Sequence, residues 1–362
     1  MNLPTTNQFE QLVLDGTPLI DVRAPIEFEA GAFPSAINLP LMSNDEREKV
    51  GICYKKKGNE AAVKLGHQLV CGAIKAERVV AWAAQLKKEP ATLLYCFRGG
   101  MRSQIAQQWI YEATGQHVPR LEGGYKAFRT YLMEQLNPAA LPSRPIILGG
   151  RTGTGKTILL QKLKNKIDLE AIANHRGSSF GRFTTPQPTP INFENRLAWA
   201  FIHHRAAGYS HMILEDEGRN IGDRYLPQPL VQHFADGDLV VLERSMAERI
   251  QITFDEYIVV ALADFQSLYG SELGSEKWLD YMIGCLDRIQ KRLGGLRHQT
   301  IKQTLRSAHE SGDLEQHKDW IEPLLRDYYD PMYDYQLQNK TSRIVFKGNE
   351  AEVLDYLRAL EP

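Results

Sequence analysis

The sequence is poor in cysteine: only four stand in its 362 residues, at positions 53, 71, 96 and 285, and no two form a CxxC pair. That spacing makes neither a zinc knuckle nor the disulfide framework of a small secreted domain, and a reducing cytoplasm is the expected location. Charge of one sign is also lacking. The 43 Lys and Arg nearly cancel 44 Asp and Glu, for a net charge of -1, so any nucleic acid must be held by a local basic face rather than by overall charge. No apolar run reaches the length of a membrane span. The opening MNLPTTNQFEQLVLDG has no basic segment followed by an apolar one, so neither a signal peptide nor a membrane partner is expected. Internal repeats and low-complexity tracts are missing as well.

What is present is alternation. Between LIDVR, TLLYCF and HVPRLEGG, short apolar runs of strand character, lie AERVVAWAAQLKK and RSQIAQQWIYEAT, which carry helical spacing. Strands alternating with helices predict an α/β fold on a parallel sheet. Residues 137–145, NPAALPSRP, hold three prolines in nine positions and read as a linker. The expected division is therefore a domain over 1–136, a linker over 137–144 and a second domain over 145–362. The second begins with a strand, PIILGG, a glycine-rich loop and a helix, KTILLQKLKNK. Further strands are expected at HMILED, DLVVLE and RIVFKG, with a long helical insertion over about 246–340.

The segment TLLYCFRGGMRS runs an apolar strand straight into Cys96, then two glycines, then a helix start at Arg102-Ser103. Such a loop turns successive backbone N–H groups inward at a helix N-terminus, which stabilises a thiolate and cradles an oxyanion. Arg98 and Arg102 are candidates to add charge-assisted bonds to that anion. The spacing C-x5-R-S is that of cysteine-dependent phosphatases. The surroundings nevertheless resemble a rhodanese domain: LIDVRAPIEFEAGAFPSAINLP, with Asp21, Arg23 and Glu27, and LEGGYKAF look like its two signatures. The long loop suggests a bulkier, phosphate-bearing donor than a plain rhodanese takes.

Gly150, Gly155, Lys156 and Thr157 match G-x4-G-K-[ST], with Gly153 inside the loop, between a strand and a helix as that motif requires. Its backbone N–H groups hold a diphosphate, Lys156 reaches the outer oxygens, and Thr157 is placed to ligate magnesium. At the end of MILEDEG, Glu215 and Asp216 are candidate magnesium ligands, with Glu217 beside them. The loop NHRGSSFG, with His175, Arg176, Ser178 and Ser179, has no core-packing rationale and reads as a substrate loop. In DRIQKRLGGLRHQTIKQTLR, Arg288, Arg292, Arg297, Lys302 and Arg306 form a candidate tRNA-binding face, and Lys55-Lys56-Lys57 a weaker one.

With C-F-R-G-G-M-R-S, G-G-R-T-G-T-G-K-T, N-H-R-G-S-S-F-G and E-D-E-G-R-N-I-G all in this order, the chain closely resembles the bacterial tRNA 2-selenouridine synthases. The resemblance implies the wobble 2-thiouridine of the tRNAs for lysine, glutamate and glutamine as substrate. It implies geranylation of the sulfur by geranyl diphosphate, then replacement of the S-geranyl group by selenium from selenophosphate, with Cys96 as selenium carrier. It also implies a selenophosphate-supplying enzyme as partner; no tightly bound cofactor is expected, magnesium being a candidate ion, and the chain is expected to be a monomer. Two alternatives stand on the same residues: an ATP-dependent kinase with a rhodanese appendage, and a sulfur-relay module that binds tRNA without chemistry of its own. The phosphatase spacing alone suggests a third.

Overall fold

The computed structural model describes residues 3–338 and 340–361. It divides into two compact units, Met1–Ala140 with Thr189–Ala206, and Leu141–Pro188 with Ala207–Pro362. The first break falls inside the proline-rich stretch. The helix Pro190–Ala206, which chain position alone assigns to the second domain, belongs to the first unit.

In the first unit, strands β1 (Thr5–Thr6), β2 (Leu19–Asp21), β3 (Ala36–Asn38), β4 (Leu93–Tyr95) and β5 (Arg120–Leu121) form one parallel sheet in the order β1-β5-β4-β2-β3. β2 and β4 are buried along their whole length, as expected of strands covered on both faces. One face packs Ile20, Val22 and Leu94 against Trp82, Ala106 and Ile110. On the other, Phe33 meets Phe128 at 4.4 Å between ring centroids and Tyr125 at 5.0 Å. The helix Pro190–Ala206 is fastened to this unit by polar bonds. Asn195 donates to Ala32 O at 2.8 Å, Asn192 accepts from Ala32 N at 2.7 Å, and Glu194 pairs with Arg129.

The segment Asn44–Leu69 is helical but breaks at Gly58, whose φ of 81° is outside the helical range. The two halves fold back on each other. A side-chain carbon built on Gly66 would lie 3.9 Å from Val50, a pair that one straight helix would separate by roughly 24 Å.

In the second unit, β6 (Arg144–Gly149), β7 (His211–Glu215), the hairpin strands β8 (Asn220–Ile221) and β9 (Arg224–Tyr225), β10 (Asp238–Leu242) and β11 (Ile344–Gly348) follow in turn. The main sheet is parallel with the order β11-β10-β6-β7. The helix after the glycine loop covers only Lys156–Leu160, shorter than its apolar spacing predicts. Its continuation leaves the helix to pair with the edge of β7: Ile213 N donates to Asn165 O and Ile167 N to Ile213 O, at 3.0 and 2.8 Å. Satisfying a buried strand edge outweighs two more turns of helix. Between β10 and β11, helices from Met246 to Gln338 build a core of their own around Trp278, Met282, Leu286, Trp320 and Ile321.

Candidate functional site

Two sites emerge, each inside one unit. In the first unit, β4 delivers Cys96, only 3% exposed, to a loop that ends where the helix Met101–Thr114 begins. The LEGGYKAF turn holds that loop from behind. Tyr125 N donates to Cys96 O and Lys126 N to Phe97 O, both at 2.9 Å. Gly124 has a φ of 59°, and a side-chain carbon there would fall 2.3 Å from Cys96 O, so only glycine permits the interlock. The two signatures of the sequence are thus halves of one support.

Cys96 Sγ lies 3.2 Å from Ser103 Oγ, which donates to Gly100 O at 3.0 Å. Rotating that one hydroxyl proton toward Sγ would stabilise a thiolate. Ser103 is a functional candidate that the cysteine-arginine pattern did not single out. Arg102 does not point free into the loop: it donates to both oxygens of Glu27, at 2.7 and 3.2 Å, and Arg47 donates to the same carboxylate at 2.9 Å. Burial pushes the Glu27 carboxyl up, but the bond and charge of Arg102, with Arg47, outweigh it and hold the group below its ordinary range. Arg98 is exposed, 6.0 Å from the Phe97 ring, and makes no ion pair among the described residues. Asp21 and Arg23 form a buried bidentate pair that also reaches Gly31 O. Their place in the signature is that of a strut.

In the second unit a cleft of about 660 Å³ opens over the glycine loop. Gly153 has a φ of 82°, and a side-chain carbon there would meet Arg249 O at 2.9 Å. Arg249, 2% exposed, donates to Thr152 O at 2.9 Å and grips Asp330 at 2.9 and 2.5 Å. This buried pair ties the phosphate loop to the helical region, and losing one partner of such a pair costs about 3–5 kcal/mol. Lys156 Nζ lies over the loop, donating to Gly150 O at 3.0 Å, and Thr157 Oγ1 donates to Glu170 at 2.8 Å.

The acids sort differently from the sequence reading. Glu215 is 1% exposed, accepts from Leu169 N at 3.1 Å and does not line the cleft; burial raises its carboxyl pKa well above the ordinary value. Asp216, Glu217 and Glu170 do line it. Asp216 pairs with Lys340 at 2.6 Å. Glu217, half-buried and facing the charge of Glu170, is pushed up to about 8, and burial raises Glu170 as well. Nothing in the sequence around Glu170 marks it; the fold of the segment after the short helix brings it to Thr157.

No group of three or more acidic, histidine or cysteine residues among the described residues forms a metal cage. Thr157 and Glu170, joined by a hydrogen bond, are hard oxygens that could hold magnesium taking its other ligands from phosphate and water.

Of the candidate substrate loop, Arg176 and Ser178 line the cleft, while His175 is buried and does not. Arg176 stacks on Phe183 at 4.1 Å and donates to Glu256, and Ser178 bonds Tyr257 at 2.8 Å. Ser179 O accepts from Arg288 at 3.0 Å, so that arginine braces the loop. Lys302 is paired with Asp287 at 2.8 Å. Arg292, Arg297 and Arg306 are exposed.

Two family models match the chain: one described as a rhodanese-like domain over residues 5–131, the other as the tRNA 2-selenouridine synthase AAA domain over residues 143–361. The chain is similar to proteins named tRNA 2-selenouridine synthase in Sulfurovum sp. (51% identical), Pseudomonas fluorescens (49%) and Shewanella denitrificans (49%). Each match covers 98% of this chain and 98% of the relative. Among the described residues no helix is long and apolar enough to cross a membrane.

Proposed function

The chain belongs to the tRNA 2-selenouridine synthase family, and from that membership we propose that it acts on wobble 2-thiouridine in the tRNAs for lysine, glutamate and glutamine through an S-geranyl intermediate. The observation that carries the reading is the composition of the cleft over the phosphate loop. Gly150, Gly153, Gly155, Lys156 and Thr157 line it together with Ile158, Ile252, Tyr257, Met332 and Tyr333. A phosphate loop and large apolar side chains in one cleft suit a prenyl diphosphate.

In the first step the 2-thio sulfur attacks the first carbon of geranyl diphosphate. The S–C bond forms as the C–O bond breaks, and diphosphate leaves into the loop. Lys156 and the backbone N–H groups stabilise the charge that gathers on the leaving oxygen. Magnesium, held by Thr157 with Glu170, would supply further neutralisation of that charge. S-alkylation turns the thiocarbonyl into a good leaving thiolate. In the second step selenium from selenophosphate takes the place of the S-geranyl group: the C–Se bond forms, the C–S bond breaks, and geranylthiolate departs and takes up a proton. Water takes the phosphoryl group. Selenium enters and sulfur leaves at the same oxidation level, so no external reductant is needed. Cys96 provides the thiolate that frees the selenium: it attacks the phosphorus of selenophosphate, the S–P bond forms as the P–Se bond breaks and releases hydrogen selenide for the base carbon, and water then cleaves the S–P bond and restores the thiol.

Mass spectrometry of nucleosides from 2-thiouridine tRNA incubated with the purified chain tests the scheme. Geranyl diphosphate alone should give S-geranyl-2-thiouridine, and adding selenophosphate should carry it to 2-selenouridine without ATP. Selenation that needs no geranyl diphosphate, or that requires ATP hydrolysis, would return the chain to the kinase or sulfur-relay alternatives.

Docking of the tRNA is assigned to Arg292, Arg297 and Arg306, candidates that are exposed and form no ion pair among the described residues. Replacing all three by alanine should flatten the dependence of log affinity on log salt by roughly 0.7–0.9 for each phosphate no longer neutralised. An unchanged slope in a filter-binding titration would make them an ordinary solvated face.

A further inference from the structure

The first unit holds a second cavity, about 720 Å³, that neither of these steps uses. Its walls come from both halves of the broken helix Asn44–Leu69 and from the first turns of the helix that follows the Cys96 loop. Its floor is apolar: Leu41, Met42, Val50, Val63, Ile105 and Trp109. Three large apolar side chains stay exposed at its mouth, with Ile52 at 46%, Tyr54 at 58% and Met101 at 43%. Charged groups line it too, Glu27, Arg47, Glu48, Lys55 and Arg102, with Asn59 and His67. An open apolar cavity of this size gives water few partners, and a mainly apolar concavity with a few placed polar groups is the usual form of a small-molecule site.

We propose that this cavity receives the prenyl chain of the S-prenyl nucleotide during selenium transfer and holds the departing prenyl thiol. The proposal rests on the two-step reading of the function. Three features single out this occupant. The floor calls for a purely hydrocarbon body, which selenophosphate and an unmodified wobble base both lack. The reactive end must lie at the Cys96 loop, and Met101, Arg102 and Ile105, which line the cavity, begin the helix into which that loop runs. The nucleotide also brings anionic backbone, and Lys55, exposed and first in the run Lys55-Lys56-Lys57, lines the cavity. Geranyl diphosphate itself is a poor match, because its diphosphate belongs in the phosphate loop of the other unit. The break at Gly58 has a functional meaning here: folding the helix back on itself makes the walls that a straight helix would not.

The test uses the full-length protein and three anticodon stem-loop RNAs carrying S-methyl-, S-dimethylallyl- or S-geranyl-2-thiouridine. Wild type should selenate the geranyl RNA with kcat/KM at least about tenfold above the methyl RNA, as expected for burying most of a ten-carbon chain. Val63→Phe, on one wall, and Val50→Phe, on the other, fill the cavity. Each variant's methyl RNA serves as its own reference, so a general loss of rate or of folded protein cancels. Both should collapse the geranyl preference and move the optimum to the five-carbon chain. If filling lowers turnover of every RNA too far to read, the same ratio is taken from RNA affinities. A geranyl preference and length order that survive in both variants overturn the cavity assignment and leave the two-step reading standing. Should wild type treat the three RNAs alike, the prenyl chain is not bound in the cavity and the proposal falls; failure of wild type to selenate any of the three would instead overturn the two-step reading itself.

Discussion

Cys96→Ala should abolish 2-selenouridine formation, by at least about three orders of magnitude if it removes a nucleophile with no substitute, while S-geranyl-2-thiouridine accumulates. The expectation follows from position. Cys96 is buried at the tip of a strand, framed by Ser103 and by a glycine turn that admits no side chain, and no second thiol can reach that place through a comparable loop. Cys71 is exposed and donates to Gln68 O, and Cys285 lies in the helical core, where burial pushes its thiol up despite the neighbouring Arg288. Replacing Cys53, Cys71 or Cys285 should therefore leave selenation within a few-fold of wild type. The measurement is selenouridine yield on tRNA that already carries the S-geranyl group, which separates loss of selenium transfer from loss of its substrate. Normal selenation by Cys96→Ala would remove Cys96 from the mechanism.

How much of this was legible in the sequence depends on whether the signal was local. The strands at Leu19–Asp21, Leu93–Tyr95, Arg144–Gly149 and Asp238–Leu242 announce themselves as apolar runs, because both faces of a parallel sheet are covered. The phosphate loop and the cysteine loop are read from spacing alone, since their function lies in consecutive backbone groups. What escaped is what contacts distant in sequence decide. Helix Pro190–Ala206 joins the first unit through Asn192, Asn195 and Glu194, polar residues that carry no pattern pointing to Ala32 or Arg129. Of the three consecutive acids, Glu215 is the last residue of β7 and is buried, while Asp216 and Glu217, just past the strand, reach the cleft; strand alternation would have grouped Glu215 with Glu217, so the point where the strand ends decides the split. Glu170 and Arg249 hold the phosphate loop's surroundings together, yet each stands in an unremarkable segment.

Lys156→Ala should cost geranyl transfer about 2–4 kcal/mol, or roughly 30- to 1000-fold in rate, the range for deleting one preorganised stabiliser of a developing anion. The structure sharpens the reason. Five carboxyl groups, from Asp168, Glu170, Asp216, Glu217 and Glu256, line the same cleft, and of these Asp216 pairs with Lys340 and Glu256 with Arg176, while the other three form no ion pair among the described residues. A diphosphate arriving there meets negative charge or protons already in place, and the Lys156 ammonium is the cation aimed at it from the loop. Removing that ammonium leaves the leaving group to face the acids with backbone donors, any bound magnesium and an Arg176 already engaged with Glu256. The same variant, given tRNA that already carries S-geranyl-2-thiouridine, should still exchange selenium, because Cys96 and its supports lie in the other compact unit. Assaying the two half-reactions separately decides the matter. Geranylation that proceeds at the wild-type rate in Lys156→Ala would mean that diphosphate leaves somewhere other than the phosphate loop, and the cradle assignment would have to be given up. Loss of selenium exchange on the pre-geranylated tRNA, at unchanged tRNA affinity, would instead show that the phosphate loop serves both steps and that the division of labour between the units is wrong.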